Sequence, residues 1–125
     1  EKNTKKAIEL FERAVGMRNA LALNNLAYCY HIGEGVEKNM EKAIEFYEKG
    51  SEMGVAAAMS NLGICYVGGL GVEKNMKKGV ELFERSLGMG VEIVNRHTTN
   101  ILGKCYELGF GVEKDLEKAI NLLSD

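Results

Sequence analysis

The chain of 125 residues contains no proline and no tryptophan, and its 15 glycines fall mostly at repeated positions. No stretch therefore reads as a linker or a low-complexity segment. Long apolar runs are missing as well. Nothing approaches the roughly 18 to 20 residues needed to cross a bilayer, so this segment is not expected to insert into a membrane. No basic stretch followed by an apolar one suggests a signal peptide. Charge of one sign is also lacking: 16 basic and 18 acidic residues are interspersed, for a net charge of −2. A nucleic-acid binder would normally show a basic face, because neutralising phosphates supplies most of its affinity. Nucleic acid is thereby excluded as the expected partner. No Asn-x-Ser/Thr sequon occurs, which removes one sign of a secretory route. The length is that of one domain, and 46% hydrophobic content is ordinary for a globular protein.

What the chain does have is repetition. Glu1-Lys2-Asn3 recurs as Glu37-Lys38-Asn39 and Glu73-Lys74-Asn75, then as Glu113-Lys114-Asp115, at intervals of 36, 36 and 40 residues. Gly-Val precedes the internal copies, at Gly35-Val36, Gly71-Val72 and Gly111-Val112. A period in this range marks a stacked array of small helical units. The chain opens inside a motif, so we expect a single array over residues 1–125 taken from a longer one. Its units would be 1–36, 37–72, 73–112 and 113–125.

Within a unit, Leu23, Leu26, Ala27 and Tyr30 sit at helical spacing, and so do Ala43, Ile44, Phe46, Tyr47 and Gly50. Between them, Gly33 can end the first helix in a left-handed conformation. Asn3, Asn39, Asn75 and Asp115 are natural N-caps for the second helix of each unit. Val36, Val72 and Val112 are expected to be buried as plugs between the two helices. The pattern predicts seven helices over about 4–16, 19–32, 40–53, 55–68, 76–89, 91–108 and 116–123. Small residues recur where helices must meet closely: Ala27, Gly63 and Gly103 on the first helix, and Ala7, Ala43, Gly79 and Ala119, then Ala14, Gly50 and Ser86, on the second. Glu9/Arg13, Glu45/Lys49 and Glu81/Arg85 at i,i+4 mark a solvated outer face.

The three cysteines, Cys29, Cys65 and Cys105, occupy one repeat position, each three residues after a leucine and followed by tyrosine. They are expected to be small buried hydrophobes. Cysteines one repeat apart lie too far from one another for a disulfide, and clustered metal ligands are absent. One unpaired thiol per unit favours a reducing compartment, cytoplasm or organelle matrix.

Several offsets agree in register with a known pattern: Leu62-Gly63, Tyr66, Gly69-Leu70-Gly71-Val72, Asn75, Lys78, Phe83 and Gly90. Leu102-Gly103, Tyr106, Gly109-Phe110-Gly111-Val112, Asp115 and Lys118-Ala119 agree likewise. The chain resembles the Sel-one-like repeat family, relatives of the tetratricopeptide repeat. Departures are Ala27 for glycine, Gly79 for alanine and the longer third interval. The resemblance implies an all-α, right-handed superhelix of antiparallel helix-turn-helix repeats, with the first helix of each pair lining the concave side. It also implies an adaptor holding signalling or protein-quality-control complexes together. A bacterial branch with disulfides inside each repeat carries two cysteines per unit, which this chain does not.

No nucleophile elbow, His-Glu-x-x-His, Walker loop or Gly-x-Gly-x-x-Gly occurs. His31 and His97 stand 66 positions apart. No enzyme activity and no cofactor or metal are expected. Between Asn19 and Gly33, and between Val55 and Gly71, there is no Asp, Glu, Lys or Arg, although 27% of the chain is charged. With Leu26 and Tyr30 facing the core, the opposite side presents Leu21, Asn24, Asn25, Tyr28 and His31. The matching positions are Ala57, Ser60, Asn61, Ile64 and Val67, then His97, Asn100, Ile101, Lys104 and Glu107. Leu21, Asn24, Asn25, Tyr28, His31, Asn61, Ile64, Asn100 and Lys104 are the candidate partner-binding residues, for a peptide or a helix of another protein. The plain alternative is that these helices only pack on their neighbours. Two further roles remain open: an accessory subunit bracing a large assembly, or a regulatory appendage of an enzyme in a longer chain. The four extra residues, placed at Glu92 to Asn95, either lengthen the inner helix by one turn or bulge as a loop.

Overall fold

The computed structural model describes residues 2–16 and 19–123, with the side chains of Lys2, Asn3, Thr4, Phe11, Ala14, Val15 and Ile93 outside the described set. Among the described residues it is all helical: α1 Lys2–Gly16, α2 Ala20–Ile32, α3 Met40–Glu52, α4 Ala56–Gly68, α5 Met76–Gly88, α6 Glu92–Leu108 and α7 Leu116–Leu123. Each helix packs on its neighbours in chain order, so the fold is an α-solenoid with α2, α4 and α6 as one layer and the odd-numbered helices as the other.

The helix starts follow the chemistry of their first residues. Asn39, Asn75 and Asp115 accept a hydrogen bond from the backbone N–H three residues on, at 3.1, 3.0 and 3.0 Å. Such caps stabilise by about 1 kcal/mol each. Asn19 caps α2 in the same way, at 3.2 Å. Asn3 lies within α1 rather than before it. The inner helices α4 and α6 begin after Val55 and Val91 without a side-chain cap.

Each turn ends the inner helix at a left-handed glycine, Gly33, Gly69 or Gly109, whose N–H returns to the carbonyl of the cysteine four residues back. The second glycine, Gly71 or Gly111, also has positive φ and presses on the start of the preceding outer helix. A methyl group built on Gly111 would lie 2.5 Å from the carbonyl oxygen of Met76, and one on Gly71 would lie 2.8 Å from Cβ of Met40. The chain is then pinned by bonds from Asn39, Asn75 and Asp115 N–H to the carbonyls of Tyr30, Tyr66 and Tyr106.

Helix pairs close through small residues. A Cβ on Gly63 would meet the ring of Phe83 at 2.7 Å, and one on Gly103 would meet Leu123 at 2.6 Å. The plug valines are a correction: Val36, Val72 and Val112 are half-buried against the core rather than buried. They sit at the turn edge, where one flank stays wet. Of the expected outer-face ion pairs, Glu45–Lys49 closes at 3.3 Å. The other two are not formed among the described residues.

Gly111→Ala would add both the left-handed strain and the clash with Met76. We expect it to cost more than the roughly 1 to 2 kcal/mol of strain alone. Gly88, at the end of α5, has nothing within 4 Å of a built Cβ. Gly88→Ala is therefore expected to be neutral or stabilising by up to about 1 kcal/mol. Urea denaturation of the two variants checks the contrast.

Candidate functional site

Because α2 and α4 carry no charged residue, their solvent side is set by sequence spacing alone. Leu21, Asn25, Tyr28 and Ile32 recur at helical intervals and are all exposed, Leu21 at 68%, Tyr28 at 49% and Ile32 at 47%. One repeat on, Ala57, Asn61 and Ile64 are half-buried. On α6 the face turns polar, with His97, Asn100 and Lys104 exposed and Ile101 half-buried. Lys104 pairs with Glu107 at 3.2 Å.

The expected stripe is thus split in three. Leu21, Asn25 and Tyr28 are open to solvent. Asn24 and Asn61 are half-buried and bonded across adjacent inner helices, Asn61 Nδ2 donating to Asn24 Oδ1 at 3.1 Å. His31 belongs to the edge of the core. Its Nδ1 lies 3.0 Å from the Tyr47 hydroxyl, and its ring meets those of Tyr28 and Tyr47 edge-on. Burial, aided by Lys38, lowers its pKa, so the imidazole is neutral at pH 7. Ser60 is buried instead of exposed, hydrogen-bonded to Thr98 at 2.8 Å, and Thr98 in turn donates to the carbonyl of Val94 at 2.9 Å. A hollow of about 120 Å³ remains beside that pair, lined by Ala57, Ser60, Asn61, Val94 and His97.

Ile32 was not among the residues expected on this face. The signal was present in the spacing of 21, 25, 28 and 32, the i, i+4, i+7, i+11 row of one helix. A repeated clamp also went unread: Lys42, Lys78 and Lys118 place their ammonium groups 5.2, 4.9 and 4.7 Å from the ring centres of Tyr30, Tyr66 and Tyr106. The clamp holds the outer helix of each pair to its inner partner and keeps these lysines off the inner face.

The extra residues lengthen α6, which has 17 residues against 13 in α2 and α4. At the tail, Leu116, Ile120 and Leu123 are exposed and line a cleft of about 400 Å³ with Ala119, Lys104 and Glu107. Leu122, on the same helix, is half-buried. At the head, Leu10 is exposed but Ile8 is buried in a cluster with Leu26, Ala27 and Tyr30 of α2.

All three cysteines are buried free thiols. No group of His, Cys, Asp and Glu among the described residues could hold a metal ion. No described helix is long and apolar enough to cross a membrane.

A profile of the Sel1 repeat matches residues 1–16, 20–55, 56–91 and 99–124. The chain belongs to the Sel1 repeat family. Among solved structures it is similar to a Sel1 repeat protein from Oxalobacter formigenes, at 31% identity and TM-score 0.84, over 98% of this chain and 49% of that one. It is also similar to c5321, a protective antigen of uropathogenic Escherichia coli with this Sel1-like repeat fold, at 27% identity and TM-score 0.83, over 97% of this chain and 25% of that one. Helicobacter pylori cysteine rich protein B shares the fold, at 22% identity and TM-score 0.71, over 98% of this chain and 85% of that one. A search among curated proteins finds no match. The chain thus spans about half the length of the Oxalobacter protein. Sel1 repeat proteins are generally protein-interaction scaffolds and typically non-catalytic.

Burial raises the pKa of all three thiols, that of Cys65 to about 11. A folded pKa above the unfolded one means that the native state keeps its proton longer. The resulting stability is complete below the unfolded thiol range near 8.5 and is lost as pH rises toward 11. The urea midpoint should fall over that interval and fall less in Cys65→Ala. Thiol labelling of the native protein should be slow, and slowest at Cys65.

Proposed function

We propose that this segment is a non-catalytic protein-interaction scaffold that engages a partner protein on its inner-helix face. The observation that carries the reading is the sorting of charge. Neither α2 nor α4 has a charged side chain, yet Leu21, Tyr28 and Ile32 stand exposed on that side. A helix face turned to water with nothing to do would be expected to carry charge, as α3 and α5 do. Leucine, tyrosine and isoleucine in a row beside amide groups have the makings of an interface core. Tyr28 is the natural anchor, since its ring supplies contact area and its hydroxyl stays able to bond.

A second role, bracing a larger assembly, draws support from the tail. The exposed apolar row Leu116, Ile120 and Leu123 would be covered by whatever packs on α7. There the solenoid would join a neighbour end to end rather than through its inner face.

Tyr28→Ala is expected to leave helix content nearly unchanged and to weaken partner capture by about 1 kcal/mol or more. Glu45→Lys on the outer face should leave capture intact. Affinity isolation with crosslinking from the native source supplies the partner for this comparison. Binding that survives Tyr28→Ala but not Glu45→Lys would place the interface on the wrong side of this proposal.

A further inference from the structure

We infer that the edge of the solenoid formed by its three Gly-x-Gly-Val turns is a second docking surface, which takes an amphipathic helix of another protein. That helix carries apolar residues seven positions apart, and a lysine or arginine where it passes Glu34. The inference goes beyond the inner-face reading and stands without it.

Every unit exposes an apolar side chain at the same place. Ile32 ends α2 and Leu108 ends α6, and both are exposed. The residue in register between them is Gly68, which ends α4 and has no side chain to offer. Leu70 fills that place from the turn: its Cγ lies 3.2 Å from a Cβ built on Gly68, and it too is exposed. Phe110 adds an exposed ring two residues after Leu108. The tip residues Glu34, Leu70 and Phe110 each stand between two glycines of positive φ, which fixes the turn that presents them. Apolar side chains recurring at one place along an array form a strip rather than scattered exposure, and such strips mark interaction sites.

The conformation of the partner follows from the turn backbone. The N–H groups of Glu34, Leu70 and Phe110 donate to the carbonyls of Cys29, Cys65 and Cys105 at 3.0, 2.8 and 2.9 Å. An extended segment laid across the tips would find these donors spent, whereas a helix satisfies its own backbone and needs only side-chain contact. Bonds from Asn61 to Asn24 and between Ser60 and Thr98 show that successive inner helices touch. Helices in contact lie about 8 to 10 Å apart, and seven residues of α-helix rise about 10.5 Å. A partner helix crossing the edge therefore meets Ile32, Leu70 and Leu108 with its residues i, i+7 and i+14.

Its charge follows from the composition of the turns. Segments 33–39, 69–75 and 109–115 carry five acidic residues and three lysines, which is the whole of the chain's net charge of −2. The ion pairs among the described residues, Glu45–Lys49 and Lys104–Glu107, lie outside these segments. Glu34 holds the tip position that Leu70 and Phe110 hold in the other turns, so one tip of the strip is acidic and two are apolar. A partner with lysine or arginine at that end meets an opposite charge, and one with Asp or Glu there is repelled. The acidic excess also repels an anionic lipid surface, which sets a protein helix ahead of a membrane as occupant.

The probes are two synthetic peptides of three heptads, with leucine at the first and fourth position of each heptad and neutral residues elsewhere. They differ only in carrying Lys or Glu at one end. We expect the full chain to bind the Lys peptide more tightly than the Glu peptide, with a rise in helix content on binding. Glu34→Lys should reverse that preference. Leu70→Ser and Phe110→Ser, both at exposed tips, should each weaken binding about tenfold, while Tyr28→Ala should leave it unchanged. The comparison of the two peptides leaves the protein unaltered, so a folding defect cannot imitate its result. The inference is overturned by an absence of binding, by a bound peptide that is not helical, or by a preference that survives Glu34→Lys. It is equally overturned if Tyr28→Ala abolishes binding and the tip variants do not. Binding to phosphatidylserine vesicles, or self-association in sedimentation, that a tip variant abolishes would assign the strip to a membrane or to a second copy instead. Capture of the native partner tests the inner face separately, so either reading can fail alone.

Discussion

Everything in this molecule depends on how closely one turn can approach the helix before it. Gly111 rests on the backbone at Met76, and Gly71 rests on Met40, in each case nearer than any side chain would allow. That contact joins a turn to the preceding unit, so it sets the step from repeat to repeat rather than the shape of one repeat. The left-handed glycine two residues earlier ends the inner helix, and the returning bond from the cap residue to the tyrosine carbonyl fixes where the outer helix begins. With both ends of the turn held, the helix faces are determined. Gly63 can then admit the ring of Phe83, and Gly79 can admit Val67. Helix-interior glycine costs about 0.8 to 1.0 kcal/mol relative to alanine, and here the close approach it permits offsets that cost.

The same geometry sorts the side chains between layers. The outer helices carry most of the charge, and the lysine near the start of α3, α5 and α7 folds back over a tyrosine of the paired inner helix. Both the ammonium group and the tyrosine ring are thereby engaged between the two helices of a pair. What α2 and α4 leave to water is neutral, part amide and part hydrocarbon. Such a surface has no long-range pull on a partner and no large charge-desolvation penalty, so recognition there would fall to shape and hydrogen-bond matching.

Fold and site were legible to different degrees, for physical reasons. Helix number and extent could be read because Asn39, Asn75 and Asp115 cap by their own chemistry, and because glycine is the residue that ends these inner helices. Both signals are local. The position of Tyr28 opposite Tyr30 was legible from 100° per residue. His31 misled the same arithmetic: three residues from Tyr28 it shares that flank, but Tyr47, sixteen positions away, draws it toward the core. Ser60 misled it likewise, since its burial depends on Thr98, which lies across the lengthened interval. The bond between Asn24 and Asn61 requires knowing which flank of α2 meets α4, a tertiary fact carried by no single helix.

The lengthened interval also explains why the inner face is not uniform. Four residues turn a helix by about 400°, or about 40° past a full turn. The part of α6 before the insertion keeps the 36-residue register, whereas the part after it follows a 40-residue register. Across the first junction the inner helices meet through the half-buried Asn24 and Asn61. Across the second they meet through Ser60 and Thr98, and that hydroxyl pair is buried, its bonding turned inward to the Val94 carbonyl. Beyond it, Lys104 and Glu107 stand where α4 has Ile64 and Val67. The inner layer therefore runs from an amide pair at the first junction to a buried hydroxyl pair at the second and an ion pair after that. Units with the same fold thus present different surfaces, and the register slip in α6 separates them.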